Sequence, residues 1–340
     1  MKTVNVGIIN VTGYIGIDLA RLLCQHPGVK LVSVTGRSAA GQKLGDVFPH
    51  MADVDLMIEP ELGEVELAFS ALPHGDSAKA VVEALEQDIK VIDASADFRL
   101  KDVVEYERWY KVTHPAPELL GEAVYGLPEL HRAEISGARL VANPGCYPTS
   151  AILALAPALR EGLVEPDIII DSKSGVSGAG RSLKLNSHYA EANESVSAYA
   201  LDGHRHMPEI AQELRIQAGK RPVSVTFVPH LIPMTRGMLS SCYARLRREV
   251  KIDEVRELYR EFYRDEQFVR VVDNPPQTKH TLGSNLCLVH PTISPSGERL
   301  VVISCIDNLV KGGAGQAVQN MNLMLGYPEG MGLGAIAIYP

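Results

Sequence analysis

Apolar and polar residues follow two different rhythms along this chain. Through the first 142 residues, apolar runs of strand length fall at 4–9, 31–35, 65–71, 90–93 and 139–142, with helix-period runs at 17–25 and 77–86. That alternation predicts a parallel sheet covered by helices, because parallel neighbours need a crossover between them. Further on, strand-like runs at 168–173, 224–228, 238–246, 269–272, 286–290 and 300–306 mostly follow one another. Helical patterns interrupt them at 151–160, 209–217 and 253–263. This second rhythm predicts mostly antiparallel sheet with a few helices, hence a second, α+β domain beginning near Tyr147. A last helical run at 314–325 is free to pack back on the first domain.

Composition narrows the class. At 340 residues the chain is long enough for two ordinary domains. Its 46% apolar and 22% charged residues suit a globular chain and leave little room for disorder beyond loops and termini. A net charge of −8 argues against non-specific nucleic-acid binding, though not against a local basic pocket for an anionic substrate. No apolar run reaches membrane-spanning length, and Met1 to Gly7 show no signal-peptide layout, so a cytoplasmic protein is expected. The five cysteines contain no C-x-x-C pair, which favours reduced thiols over a zinc ribbon or a disulfide framework. Cys24, Cys242, Cys287 and Cys305 sit in apolar patterns and are expected to be buried and inert.

The first βα junction reads Gly7-Ile8-Ile9-Asn10-Val11-Thr12-Gly13-Tyr14-Ile15-Gly16. Glycines there let the backbone approach a pyrophosphate, which then rests on the N–H groups opening the helix. Gly13 and Gly16 have the spacing of a dinucleotide fingerprint, but Asn10 stands where the first glycine is usual. Asparagine tolerates positive φ better than most residues, so the turn is expected to survive. The same glycines would serve a plain strand-to-helix turn; the position at the first junction favours the nucleotide. The second strand ends Val34-Thr35-Gly36-Arg37-Ser38 without the acid that usually holds the ribose hydroxyls of NAD. Arg37 and Ser38 suit a 2′-phosphate instead, so NADP(H) is the expected cofactor.

Asn143-Pro144-Gly145-Cys146-Tyr147-Pro148-Thr149-Ser150 carries the chemistry. A Pro-Gly turn precedes the cysteine, and Pro148 fits a first helical turn, where its missing N–H does no harm. Cys146 is therefore expected at a helix N-terminus, where the helix dipole favours the thiolate. The partner candidate is Gly203-His204-Arg205-His206-Met207-Pro208-Glu209, in which Pro208 marks another helix start. Glu209, three residues after His206, either orients the imidazole or merely complements the helix dipole. His204 and His206 lack the third clustered ligand that a metal site needs, so no metal is expected. Two loops have the make-up of anion sites. Ser174-Gly175-Val176-Ser177-Gly178-Ala179-Gly180-Arg181 follows a strand, and Asp97-Phe98-Arg99 follows the 90–93 strand. Either arginine could clamp a phosphate or carboxylate, or serve as a surface ion-pair partner.

At these residues the chain resembles the N-acetyl-γ-glutamyl-phosphate reductase family of arginine biosynthesis nearly end to end. Gly13-Tyr14-Ile15-Gly16, Ser95-Ala96-Asp97-Phe98-Arg99, Tyr125-Gly126-Leu127-Pro128-Glu129 and the Cys146 segment carry the likeness. So do the Ser174–Arg181 loop, His204–Glu209, Pro229-His230 and Asp307-Asn308-Leu309-Val310-Lys311-Gly312. The resemblance implies an α/β chain with a Rossmann-type NADP-binding domain over 1–146. An α+β catalytic and dimerisation domain of mostly antiparallel sheet would occupy 147–312, and a C-terminal helix over 313–340 would pack back on the first domain. It implies a homo-oligomer, tetramer or dimer, acting on a small acyl phosphate.

Cys146 is then the nucleophile that forms a thioester, and His206 the general acid/base supported by Glu209. Cofactor contacts are implied from Gly13, Tyr14, Ile15, Gly16, Arg37, Ser38, Pro73, Ser177, Gly178 and Asn308. His204 joins Arg99 and Arg181 as a substrate-contact candidate. A carrier-linked aminoadipyl-phosphate reductase of lysine biosynthesis would share Cys146 and His206. Aspartate-semialdehyde dehydrogenase fits the segments around those two residues less well. From a different class, a redox-sensing NADP-binding protein without turnover would use the Gly13 turn but would have no need of Cys146 and His206.

Overall fold

In the computed structural model, which describes residues 3–340 and leaves Met1 and Lys2 outside the description, the first rhythm becomes one parallel sheet. Its elements are β1 (Val4–Ile9), α1 (Tyr14–Leu23), β2 (Val29–Thr35), α2 (Leu44–Val47), β3 (Ile58–Glu59), β4 (Leu67–Ser70) and α3 (Asp76–Glu86). They continue with β5 (Lys90–Asp93), α4 (Val103–Tyr110), β6 (Val124–Tyr125), α5 (Pro128–Ser136) and β7 (Leu140–Ala142). The strand order is β3-β2-β1-β4-β5-β7-β6, and each neighbouring pair is parallel. Burial on both faces explains the unbroken apolar strands: Val6, Ile8, Val34, Phe69 and Ile92 are all fully buried. The order reverses at β1, with β2 on one side and β4 on the other, where open sheets form a ligand crevice.

The second rhythm becomes a mixed sheet. Its elements are α6 (Cys146–Arg160), β8 (Val164–Gly175), α7 (Tyr189–Ala192), β9 (Ser197–Ala198), α8 (His206–Gln217), β10 (Ser224–Ile232) and β11 (Met238–Leu246). Then come α9 (Ile252–Phe262), β12 (Val269–Val271), β13 (Cys287–Ile293) and β14 (Arg299–Ile306). In the order β12-β13-β14-β11-β8-β10-β9, only β12–β13 and β8–β10 pair parallel. Helix α6 lies against this sheet with nearly every side chain buried. Pro157 inside it has no N–H to give the Leu153 carbonyl, and the Tyr263 hydroxyl donates to that carbonyl instead, at 2.6 Å. Where α6 meets the sheet, the buried hydroxyls of Ser150, Ser172, Ser240 and Ser304 satisfy one another at 2.7–3.1 Å.

A break at Pro144/Gly145 divides the chain into two units: Met1–Pro144 with Gly313–Gly334, and Gly145–Gly312 with Ala335–Pro340. The helix expected over 313–340 is shorter than that. A π-helical turn at Val310–Ala314 leads into α10 (Gly315–Met324), after which the chain is irregular, and its last six residues group with the second unit. Gly326 at φ 71° ends the helix in the left-handed conformation, and Pro328 follows two residues on. α10 packs within the first unit through polar side chains. Gln316 and Asn320 donate to the Gly126 carbonyl at 3.1 and 2.9 Å, and a Cβ on Gly126 would lie 2.4 Å from Asn320 Nδ2.

Candidate functional site

Asn10 adopts φ 69°, so the nucleotide turn closes without its usual first glycine. Its side chain braces that conformation, donating to the Ala71 carbonyl at 2.9 Å and accepting from Thr12 Oγ1 at 3.2 Å. Gly16 is needed for packing, since a Cβ there would sit 2.4 Å from the Asn10 carbonyl oxygen. Gly13 is different. It precedes α1 in extended conformation, and a Cβ on it would meet nothing nearer than Asn10 Nδ2 at 3.7 Å, leaving open space beside the helix N-terminus. A cavity of about 320 Å³ lies beside Asn10, lined by Ile9, Thr35, Gly36, Arg37, Glu61, Leu62 and Glu83 among others. Arg37 stands at its mouth, exposed and paired with Asp76 at 2.9 Å, and Ser38 is exposed beside it. These donors and this space fit the phosphorylated end of a dinucleotide.

Pro73 opens the loop into α3, and a buried carboxylate secures that loop. Asp97 accepts from Gly75 N, from Ala78 N at 2.8 Å and from the Tyr106 hydroxyl at 2.6 Å. It caps α3 from a distant point in sequence. Arg99 is nearly buried as well, and donates to the carbonyls of Asn143 at 2.8 Å and Ala94 at 2.9 Å. These bonds brace the segment just ahead of Pro144-Gly145-Cys146. Arg181 lies exposed at the end of the glycine-rich loop.

Cys146 is the first residue of α6, with Gly145 as its N-cap, and is partly exposed. Its environment has the helix-terminal geometry that stabilises a thiolate. Cys242, Cys287 and Cys305 are buried as expected, and burial drives the Cys242 and Cys305 thiols up. Cys24 departs from expectation: it caps the C-terminal end of α1 and is exposed. His206 is likewise the first residue of its helix, α8, and Glu209 is the buried acid of that helix's first turn. Glu209 Oε1 accepts from the Gly145 N–H at 2.9 Å, tying the start of α8 to the turn that presents Cys146. That link crosses 64 residues, and sequence spacing gave no sign of it.

Two residues given no role from the sequence, Gly312 and Tyr199, lie near Cys146. A Cβ on Gly312 would lie 2.7 Å from Cys146 Cβ, so the chain passes directly against Cys146. Tyr199 donates from its hydroxyl to that of Tyr147 at 3.1 Å, and burial pushes the Tyr199 phenol up to about 12. His204 lies within this aromatic group, and burial, aided by the charge of Arg205, lowers it to about 4. Ser177, Gly178 and Asn308, separated by sequence, come together. Asn308 Nδ2 donates to Ser177 Oγ at 2.9 Å, its Oδ1 accepts from Gly237 N at 2.7 Å, and a Cβ on Gly178 would lie 3.9 Å from that Nδ2. Among the described residues, no group of three or more His, Cys, Asp or Glu is arranged to hold a metal ion.

A dinucleotide-type parallel sheet followed by a second, mixed-sheet unit is the architecture of the semialdehyde dehydrogenases, and the chain matches both of their domains. The semialdehyde dehydrogenase NAD-binding domain matches residues 5–138, and the semialdehyde dehydrogenase dimerisation domain matches residues 146–308. Solved aspartate semialdehyde dehydrogenases share the fold. The Vibrio cholerae type II enzyme gives a TM-score of 0.70 at 17% identity, covering 95% of this chain and 99% of that one. The Candida albicans enzyme with NADP gives 0.71 at 14% identity, with the same coverage. Curated relatives are nearer in sequence. N-acetyl-gamma-glutamyl-phosphate reductase of Dehalococcoides mccartyi is 58% identical over the whole of both chains. The proteins of that name from Pelotomaculum thermopropionicum and Symbiobacterium thermophilum are 52% and 51% identical over 99% of this chain. The chain belongs to the N-acetyl-γ-glutamyl-phosphate reductase family.

Proposed function

We propose that this protein reduces N-acetyl-γ-glutamyl phosphate to N-acetyl-L-glutamate 5-semialdehyde and phosphate, in arginine biosynthesis, through a thioester on Cys146. The observation that carries the reading is the hydrogen bond from Gly145 N to Glu209, which couples the nucleophile's turn to the helix that begins with His206. The Cys146 thiolate attacks the acyl carbon, the carbon–oxygen bond to phosphate breaks, and phosphate departs with the bonding electrons, taking up a proton from solvent. Bound NADPH supplies the hydride that reduces the thioester carbon. His206, protonated, gives its proton to the oxyanion that develops there. It takes the proton back as the thiohemiacetal collapses, so that the carbon–sulfur bond breaks and the aldehyde and thiolate separate. Glu209 holds the Gly145 turn through both half-reactions.

The cofactor is assigned as NADP(H). Gly13, Tyr14, Ile15 and Gly16 would carry its pyrophosphate, Arg37 and Ser38 its 2′-phosphate, and Pro73 would border it. The cluster of Ser177, Gly178 and Asn308 is a further proposed contact. Arg181 is assigned to the substrate's anionic groups, whereas the carbonyl partners of Arg99 favour a bracing part. The match of residues 146–308 to a dimerisation domain supports a homo-oligomer, for which we propose a dimer or tetramer. No helix among the described residues is long and apolar enough to cross a membrane, and we infer that the protein works in the cytoplasm. Phosphate-dependent reduction of NADP+ with N-acetylglutamate semialdehyde tests the reading. Turnover with aspartate semialdehyde in its place would overturn it.

A further inference from the structure

His204 is a substrate-contact candidate from the sequence, but its surroundings suit another task. Helix α8 begins at His206 without a side-chain cap from Arg205, the residue before it. A helix start leaves its first N–H groups without intrahelical partners. His204 Nδ1 supplies one acceptor, taking the His206 N–H at 3.1 Å. This is an i to i+2 bond of the kind that asparagine and aspartate make in an Asx turn. An imidazole lowered to about 4 by burial and by Arg205 is neutral at pH 7, so with Nδ1 accepting, its proton resides on Nε2.

The ring is engaged as fully as Nδ1. Its centroid lies 4.9 Å from that of His206, 5.6 Å from Tyr147, 5.6 Å from Tyr199 and 5.4 Å from Phe227. Each pair meets near edge-to-face, at interplanar angles of 69–83°, the arrangement that aromatic quadrupoles favour. Tyr147 is the residue after Cys146, and His206 is itself 5.9 Å from Tyr147. One side chain therefore holds the backbone of the acid/base residue and packs on the neighbour of the nucleophile.

We propose that His204 is a positioning residue, fixing His206 relative to the Cys146–Tyr147 turn through its Nδ1 bond and its ring contacts and touching no substrate. The inference rests on the reaction proposed above for Cys146 and His206. It separates into two parts, acceptor and ring, that substitution can divide. His204→Asn keeps an acceptor for the i+2 N–H and loses the ring, His204→Phe keeps the ring and loses the acceptor, and His204→Ala loses both.

Steady-state kinetics of the full chain with NADP+, phosphate and N-acetylglutamate semialdehyde test it, with NADPH affinity as the folding control. For His204→Ala, kcat falls by about 30-fold or more while the KM for semialdehyde stays within about 3-fold, because a positioning group acts on the transition state. His204→Asn and His204→Phe each recover part of that loss. A KM raised by about 10-fold or more at unchanged kcat would make His204 a substrate contact and overturn the proposal. Alkylation of Cys146 by iodoacetamide needs neither substrate nor cofactor, and its rate falls several-fold in His204→Ala with partial rescue in the other two variants. Wild-type protein that turns over no semialdehyde yet shows this alkylation pattern would sink the reaction while the positioning role stands. Equal alkylation rates in all four proteins would overturn the positioning role itself.

Discussion

The Glu209 carboxylate accepts a 2.9 Å hydrogen bond from the backbone N–H of Gly145, the residue before Cys146. Glu209 is almost completely buried, so this bond is shielded from water and joins two helix starts that are far apart in sequence. Removing the acceptor strands a buried N–H, at a cost of about 1–3 kcal/mol. Glu209→Ala is therefore expected to lower thermal stability and to reduce kcat by more than about tenfold, through displacement of the Cys146 turn. Glu209→Gln retains an oxygen acceptor and is expected to recover most of the stability. Thermal unfolding and turnover of the two variants side by side check this, and equal losses in both would contradict it.

Gly312 is set by its contact with Cys146. An added methyl would lie 2.7 Å from Cys146 Cβ, well inside contact distance, and one of the two chain segments has to move. Gly312→Ala is expected to cost about 1–3 kcal/mol of stability. Its kcat is expected to fall at least about tenfold with NADPH affinity retained, since a small misplacement of the attacking atom is enough. Titration with NADPH alongside turnover separates the two effects.

Arg37 is proposed to hold the 2′-phosphate that distinguishes the two nicotinamide cofactors. A charge-assisted bond to the 2′-phosphate contributes about 1.5–3 kcal/mol, so Arg37→Ala is expected to weaken NADPH binding by about 10- to 100-fold. NADH, which has no 2′-phosphate, is expected to bind as before. Equal weakening of both cofactors would remove Arg37 from that task.

Two buried groups, Asp93 in the first unit and His204 in the second, are shifted in opposite directions. Burial, with Asp97 nearby, pushes Asp93 from 3.8 up to about 6. The folded chain thus holds that proton to higher pH than the unfolded chain. Its stabilisation is full below pH 3.8 and is lost as pH rises through about 6. His204, lowered from 6.5 to about 4, behaves in reverse: its stabilisation is present above pH 6.5 and is lost as pH falls through about 4. Amide exchange measured between pH 7 and pH 4.5, corrected for its intrinsic pH dependence, is expected to show α8 losing protection while β5 gains it. His204→Phe is expected to flatten the first response and Asp93→Asn the second.

Much of this was legible in the chain because apolar periodicity reports burial. β5 and β11 span the residues that hydrophobic pattern alone assigns to them. Turn chemistry located both helix starts: Gly145 before Cys146 and Pro208 after His206 mark them. α6, however, begins at Cys146, five residues before its apolar pattern does. The helix α4 carried a readable signal in Asp102-Val103-Val104-Glu105, where Asp102 accepts from Val104 N at 2.8 Å. α10 hides its burial behind Gln316, Gln319, Asn320 and Asn322, which are fully buried and hydrogen-bonded where hydropathy expects exposure. Cys24 errs the other way, exposed at the end of an apolar helix. Arg99 shows the limit for sites: composition identifies a special loop, but only the fold tells whether a guanidinium faces a ligand or the backbone.

Cys146 is proposed as the covalent nucleophile of a phosphate-dependent semialdehyde dehydrogenase. The most direct test of this is NADPH formation from NADP+, N-acetylglutamate semialdehyde and phosphate by the wild type and by Cys146→Ser. The wild type is expected to form NADPH only when phosphate is present. Cys146→Ser is expected to bind NADPH with unchanged affinity while losing at least about a thousandfold in rate, because a serine hydroxyl at neutral pH is a far weaker nucleophile than a thiolate. Full phosphate-dependent turnover in Cys146→Ser would contradict the thioester and the account built on it.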